Sequence, residues 1–186
     1  MTALIVPTPA MLQAVLKAPK TNITPHFTVY ELVSGLSTPS STEAEREARW
    51  ATRSKGLTLD VLVSLCDLAQ GLEAVRALFG VPVYLTSGFR PGDPKQHGAG
   101  QAADIQVYGF SPLEVARRVR EHVATSTVPL KFRQVIAETR DGDSDLSKPM
   151  VERGGEWVHV AVLGKGFGVT SNRWLRTGNG TTYSVL

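Results

Sequence analysis

The most regular pattern of apolar and polar positions in the chain covers residues 58–79. Apolar side chains recur there at spacings of three and four, which is the period of one face of an α-helix. These positions are Leu62, Leu65, Cys66, Ala69, Leu72, Val75 and Phe79. Gly80 and Pro82 then stop the pattern. It predicts an amphipathic helix that forms the main wall of a hydrophobic core.

A second helix is predicted from its N-terminal signals. Ser111 suits the N-cap, Pro112 the first turn, and Glu114 the third position of a capping box. The apolar stripe behind it consists of Val115, Ala116, Val119 and Val123. Shorter helical pieces are predicted at residues 9–16 and in the segment TVYELVSG. The Ser-, Thr- and charge-rich residues 37–56 predict an exposed connection with one polar helical turn.

Four segments have the composition of β-strands, because they combine β-branched, aromatic and alternating apolar residues. They are VPVYLTS, AADIQVYG, KFRQVIAE and EWVHVAV. The last two flank a long polar loop and should form an antiparallel pair. Residues 164–186 follow neither period, so we expect them to be extended or irregular. The predicted fold class is α+β, with a small, mainly antiparallel sheet and helices packed on one face.

The length of 186 residues suits one globular domain that buries its own core. We divide it into an N-terminal arm and exposed connection (residues 1–55), a core (56–163) and an irregular C-terminal tail (164–186). No apolar run is long enough to span a bilayer, so no membrane role is expected. The first residues lack a basic region before their apolar stretch, which predicts synthesis in a cytoplasm without a signal peptide.

The single cysteine and the modest positive charge narrow the chemistry further. Cys66 lies in the apolar helical pattern, and one thiol excludes both a disulfide framework and a thiolate-rich zinc site. The net charge of +3 arises without a block of Lys or Arg. It favours contact with an anionic polymer but not nucleic-acid recognition, so no nucleic-acid partner is expected. Any metal site must therefore use nitrogen and oxygen ligands.

Two histidines and an aspartate form the candidate metal site. His97 and Asp104 flank a Gly-Ala-Gly turn, in which Gly98 and Gly100 let the backbone turn sharply. His159 lies in a strand whose alternation separates it from the apolar valines of the opposite face. Two imidazoles and one carboxylate are a catalytic zinc set, because three protein ligands leave a tetrahedral position for water. Zinc lowers the pKa of such a water toward about 7.

Hydrolysis of a peptide also needs a base, and Glu138 and Glu156 are the candidates. Glu156 precedes His159 by three positions, so a regular strand would turn it to the opposite face. Gly154 and Gly155 before it would allow a bulge that redirects the side chain. Glu138 ends the partner strand and has no such difficulty. Both candidates therefore remain open at this point.

The motifs SGFR, QHGAGQAADI and WVHV resemble the zinc D-alanyl-D-alanine carboxypeptidase family of peptidoglycan peptidases. That family includes phage endolysins that cut the L-alanyl-D-glutamate bond, and it shares its fold with the Hedgehog signalling domain. The resemblance covers about residues 27–162, since FTVYELVSG is similar to the family's opening segment. It implies that His97, Asp104 and His159 bind Zn²⁺. It also implies that Arg90 binds a substrate carboxylate or polarises the scissile carbonyl.

The family supplies its catalytic glutamate in two ways, and this chain is similar to both. FRQVIAE resembles the strand of many phage and bacterial members and favours Glu138. EWVH resembles the arrangement in D-Ala-D-Ala dipeptidases and favours Glu156. Two departures concern the substrate side: Lys95 and Gln96 stand where the family has a Ser-x pair before the histidine, and Phe89 replaces a tyrosine.

The expected function is that of a zinc peptidase that hydrolyses an amide bond in peptidoglycan stem or cross-link peptides. A phage lysin or a virion-borne wall peptidase fits the missing signal peptide best. The alternative is a phage tail or baseplate protein that keeps the fold with little or no activity. Its N-terminal arm and residues 164–186 would then contact other virion proteins. A zinc-stabilised binding domain of Hedgehog type is a weaker third hypothesis.

Overall fold

The computed structural model describes residues 7–125, 132–139, 145–152, 155–162, 175–178 and 183–185. Its helices are α1 (Pro9–Lys17), α2 (Val29–Ser34), α3 (Glu43–Arg53), a 3₁₀ turn (Ser54–Gly56), α4 (Leu59–Phe79) and α5 (Pro112–Thr125). Its strands are β1 (Tyr84–Ser87), β2 (Ala102–Gln106), β3 (Phe132–Thr139), β4 (Glu156–Val162), β5 (Leu175–Gly178) and β6 (Tyr183–Val185). Among the described helices, none is both long and apolar enough to cross a membrane.

The long helix α4 begins and ends where its sequence signals predict. The Thr58 hydroxyl accepts a hydrogen bond from the backbone of Val61, which caps the first turn. Gly80 adopts a left-handed conformation with φ of 68° and ends the helix. Between them, α4 buries Leu62, Leu65 and other apolar residues of the predicted stripe completely or nearly so. The helix is therefore the main wall of the core, as its periodicity predicts.

The strands form one six-stranded sheet in the order β1-β2-β4-β3-β5-β6. The first four strands pair antiparallel, β5 runs parallel to β3, and β6 runs antiparallel to β5. This arrangement confirms an α+β fold with a small antiparallel sheet. Strands β2 and β4 are direct neighbours although they are far apart in sequence, and that pairing positions the candidate site.

The two faces of the sheet have different surroundings. Val158, Val160 and Val162 of β4 join the core on one face. Helix α4 lies directly against this face, because a Cβ added to Gly71 would lie 3.0 Å from the Phe132 ring and 3.2 Å from Val162. His159 points to the other face, since successive strand residues alternate. The candidate metal ligands therefore lie on the side of the central strands away from α4.

The N-terminal segment contributes buried residues to the hydrophobic core, which the predicted arm did not include. Val29, Leu32 and Val33 of α2 are completely buried in the common core. The connection at residues 37–56 contains α3, an eleven-residue helix rather than a single turn. A capping box between Thr42 and Glu45 begins α3, with hydrogen bonds in both directions. The capping residues lie inside a charge-rich segment, which explains why its composition suggested an exposed connection with a single helical turn.

The C-terminal segment is partly extended. Strands β5 and β6 lie within residues 164–186, where the sequence shows no clear period. They pair onto the sheet through β3, and such non-local pairing leaves little trace in local sequence. Residues 164–174 lie outside the described part of the chain. The same is true of Gly154, which would help to redirect Glu156.

Candidate metal centre

Strand pairing brings Asp104 and His159 together. The two residues are direct partners in the antiparallel ladder between β2 and β4. Residues that face each other across such a ladder project from the same side of the sheet. The His159 Nδ1 atom lies 2.9 Å from the Asp104 Oδ1 atom. The pairing of β2 with β4 thus brings together two residues that are 55 positions apart in the sequence.

His97 reaches the same point from the loop before β2. Its Nε2 atom lies 3.3 Å from Asp104 Oδ1, and its side chain is buried. Gly100, with φ of 70°, provides the left-handed turn that follows. Gly98 is required for a different reason: a Cβ there would lie 1.8 Å from the Asp93 carbonyl oxygen. The two glycines that follow His97 therefore fix its approach.

A backbone carbonyl sets the orientation of the His97 imidazole. The Nδ1 atom lies 2.8 Å from the carbonyl oxygen of Gly88, which can only accept a hydrogen bond. Nδ1 therefore carries the hydrogen, and Nε2 presents its lone pair toward Asp104. This Nε2 atom is buried and has no hydrogen-bond partner in the described structure. An imidazole whose Nδ1 donates to a backbone carbonyl while its buried Nε2 makes no hydrogen bond has the arrangement typical of a metal-ligating histidine.

The three candidate donors lie close enough together to share one metal ion. One ligand atom from each of His97, Asp104 and His159 lies within 4.8 Å of the others. Zinc bonds of about 2.0–2.2 Å in a tetrahedron place ligand atoms about 3.3–3.6 Å apart. The separation between His97 and Asp104 is 3.3 Å, and that between His159 and Asp104 is shorter, at 2.9 Å. The set also has the nitrogen and oxygen donors of a catalytic zinc site, with three protein ligands rather than four.

The electrostatics of Asp104 also suit metal binding. Burial on its own would raise the pKa of this carboxyl group. The neighbouring imidazoles of His159 and His97 act in the opposite direction and hold the pKa of Asp104 well below its usual range. The carboxylate therefore stays ionised at neutral pH, which is the form that binds a cation.

The sheet register separates the two candidate bases. Glu138 pairs with Trp157, two positions from the Ile136–His159 pair, so Glu138 projects from the same face as His159. Glu156 pairs with Thr139, and strand alternation places it on the face of the sheet opposite to His159. The Glu138 side chain is buried, and the indole Nε1 of Trp157 donates a 2.7 Å hydrogen bond to its Oε2.

A backbone hydrogen bond ties Arg90 to the candidate metal ligand His97. Its amide donates a 3.1 Å hydrogen bond to the carbonyl of His97. Phe89 before it is buried in the core, whereas 43% of the Arg90 side chain is exposed. Its Nε lies 3.5 Å from Asp93 Oδ2, an ion-pair distance without hydrogen-bond geometry.

A family model described as Peptidase M15 matches residues 26–136, which is more than half of the chain. The chain belongs to the peptidase M15 family. The matched region of this M15 family member contains Arg90, His97 and Asp104, and it ends before Glu138 and His159. The resemblance drawn from the sequence motifs is thereby confirmed. The chain has no significant match among curated proteins or among solved structures.

Membership of the M15 family, together with the His97–Asp104–His159 cluster, supports a metallopeptidase, because M15 peptidases depend on zinc. Two features of the site were not predicted from the sequence. The first is the Gly88 carbonyl that orients His97, and the second is the bond from Trp157 to Glu138. The glycine in SGFR was a signal for the first. The local sequence does not predict the bond from Trp157 to Glu138, because that bond depends on the register of β3 against β4.

Proposed function

We propose that this protein is a zinc peptidase that hydrolyses an amide bond in peptidoglycan stem or cross-link peptides. The observation that carries the proposal is the convergence of His97, Asp104 and His159, with a buried and unpaired Nε2 on His97. The motif similarity to peptidoglycan peptidases supports the substrate class. The positive net charge supports contact with an anionic wall polymer.

In this proposal, His97, Asp104 and His159 would hold the metal. A zinc ion at such a site polarises a carbonyl and lowers the pKa of water toward about 7. Glu138 is the base that takes the proton of the attacking water and returns it to the leaving amine. Glu138 is buried and projects from the same face of the sheet as His159, whereas Glu156 projects from the opposite face. Both facts favour Glu138 as the base.

Arg90 is proposed to donate to an oxygen of the substrate next to the scissile bond. Its amide is tied to the His97 carbonyl, so its guanidinium is anchored near the metal ligands. A fixed cation aimed at developing negative charge stabilises a transition state without reorganisation. Asp93, at ion-pair distance, orients the guanidinium.

The biological setting is proposed as the bacterial cell wall, reached by a phage lysin or as part of a virion. The structural alternative, a tail or baseplate protein without activity, predicts that an intact metal site accompanies no hydrolysis. The Hedgehog-type alternative requires that no glutamate lie near the metal. The position of Glu138 on the face of His159 weighs against that third hypothesis.

Zymography on purified peptidoglycan tests the proposal. The zinc-loaded native chain is expected to clear the gel, and His97→Ala is expected to abolish clearing. His122→Ala is the matched control, because His122 lies on α5, outside the cluster. Absence of clearing by the zinc-loaded native chain would reject the peptidase.

The two glutamates are compared in the same assay. Glu138→Gln is expected to lower activity by at least about a hundredfold, the usual range for a lost general base. Glu156→Gln should keep most of the activity. The reverse result would assign the base to Glu156. Mass spectrometry of the released muropeptides then identifies the bond that is cut.

A further inference from the structure

A row of side chains crosses the sheet next to the candidate metal ligands. Gln106 lies two positions after Asp104 on β2, so both project from one face of the sheet, here called the metal face. Tyr84 of β1, the edge strand, is the ladder partner of Gln106 and shares that face. Continuing the ladder of β2 and β4 by one position places Trp157 on the other side of Gln106, and Trp157 pairs with Glu138. The row therefore runs from the candidate base Glu138 to Tyr84 at the edge of the sheet.

The outer end of this row is an aromatic pair. The rings of Tyr84 and Tyr108 stack with their centroids 4.7 Å apart and their planes at 30°, and both residues are half-buried. The segment that carries Val151 runs beside Tyr108, since the amide of Gly109 donates a 3.3 Å hydrogen bond to the carbonyl of Met150. Val151 is 60% exposed, so apolar surface faces water next to the pair. We call Tyr84 and Tyr108 the tyrosine platform.

The tyrosine platform is uncharged and has an unsatisfied polar atom. The hydroxyl of Tyr108 is buried without a hydrogen-bond partner among the described residues, whereas a buried tyrosine hydroxyl normally has one. Burial, together with the nearby charges of Glu152 and Tyr84, raises the pKa of Tyr108 to about 12, so the hydroxyl keeps its hydrogen at neutral pH. The carboxylate of Glu152 would also repel an anion. These surroundings suit a neutral ligand that combines a flat apolar side with hydrogen-bonding groups.

The tyrosine platform lies a short distance from the candidate metal ligands. Two residues along β2 separate Gln106 from Asp104, which is about 7 Å, and adjacent strands lie about 5 Å apart. Tyr84 is therefore about 9 Å from Asp104 in the plane of the sheet. It lies at the end of β1 opposite to the loop that carries Arg90. One extended residue covers about 3.5 Å, so a peptide bound at the metal reaches the platform after about two to three residues.

We propose that Tyr84 and Tyr108 bind a sugar ring of the glycan strand, next to the stem peptide that is cut. The inference rests on the proposed peptidase function and narrows its substrate to stem peptides that are still joined to the glycan. An N-acetylated sugar is neutral, packs its apolar C–H face on an aromatic ring, and offers hydroxyl and acetamido groups to a phenol. A charged peptide end has neither the flat face nor the neutrality. Tyr84 is the specificity-determining residue, because it continues the row that begins at Glu138.

A sugar that contains no peptide tests the platform without any turnover. Triacetylchitotriose is a neutral chain of three N-acetylglucosamine rings and is not a substrate for a peptidase. An NMR titration of the zinc-loaded native chain is expected to give a Kd on the order of 1 mM. In Tyr84→Leu the Kd should rise at least about fivefold, because leucine removes the ring on which the sugar packs. Tyr84→Phe keeps the ring and should stay within about twofold of the native Kd.

Trp50→Leu is the matched control. Trp50 lies on α3 and belongs to another aromatic pair, with its ring centroid 5.6 Å from that of Tyr30, so this variant also replaces a paired aromatic ring by leucine. It should bind the trisaccharide as the native chain does. Thermal melts establish that each variant is folded. If Tyr84→Leu does not fold, Overhauser contacts between the sugar protons and the Tyr84 ring of the native chain are scored in its place.

Each outcome decides the inference. Binding that weakens in Tyr84→Leu and persists in Tyr84→Phe and Trp50→Leu supports the platform, as do Overhauser contacts to the Tyr84 ring where they replace the variant. Absence of trisaccharide binding by the native chain overturns it, and so does binding that survives Tyr84→Leu. If that variant clears less peptidoglycan and yet binds the trisaccharide normally, the platform holds the peptide instead. Failure of the native chain to clear peptidoglycan rejects the proposed function and leaves the NMR result standing.

Discussion

Replacing Gly98 by alanine should disconnect His97 from the metal site while the rest of the fold stays intact. The added Cβ would lie 1.8 Å from the Asp93 carbonyl oxygen, whereas carbon and oxygen atoms normally approach to about 3.3 Å. The loop must therefore move by about 1.5 Å. A zinc ligand tolerates displacements of only about 0.2 Å. We expect the affinity for zinc to fall by at least about a hundredfold in Gly98→Ala.

Competition with a chromophoric chelator measures that affinity, and circular dichroism follows unfolding. Gly92→Ala is the matched control in the same loop, since nothing lies within 4 Å of its added Cβ. Gly92 has φ of 85°, so alanine there should cost about 1 kcal/mol of stability and leave zinc affinity unchanged. Zinc affinity of Gly98→Ala within about threefold of the native value would refute the reasoning about His97.

Three further predictions concern the base, the N-terminal segment and the metal. Trp157→Phe removes the donor to Glu138 and should lower kcat about tenfold at unchanged zinc content; unchanged kcat would contradict a positioning role. Burial would raise the pKa of Glu73, but hydrogen bonds from His26 and its neighbours outweigh burial and lower it. The pair therefore stabilises the fold above about pH 4.5 and is lost as pH falls, so denaturant titrations of Glu73→Gln should show a deficit of about 0.5–1 kcal/mol at pH 7 that vanishes near pH 3. Chelation of zinc should lower the melting temperature of the native chain but not of His97→Ala, because only the native chain keeps all three ligands.

The elements whose order is local could be predicted from the sequence. Helix α4 follows from its apolar period, and α5 follows from the signals at Ser111 and Glu114. The grouping of His97, Asp104 and His159 could be predicted because these residues lie in motifs that resemble those of a known family. The length of α3 was missed because its capping box is embedded in a polar, charged segment and the helix has no buried residue.

Features that depend on contacts between distant segments were not predictable. The face from which Glu138 projects follows from the register of β3 against β4, and a shift of one residue would move it to the other side of the sheet. The bonds from Arg53 to the end of α2 depend on how two short helices meet. Neither feature leaves a period or a motif in the local sequence.

The contact between α2 and the SGFR segment has a consequence for recombinant variants. A Cβ on Gly88 would lie 1.9 Å from the Leu32 carbonyl oxygen, and the amide of Phe89 donates to that same oxygen. The imidazole of His97 is hydrogen-bonded to the Gly88 carbonyl. Its orientation therefore depends on α2, which lies more than sixty positions earlier in the chain and packs against Gly88. A truncated or chimeric enzyme that starts after α2 would retain all three ligand side chains and still lose the scaffold that aims one of them.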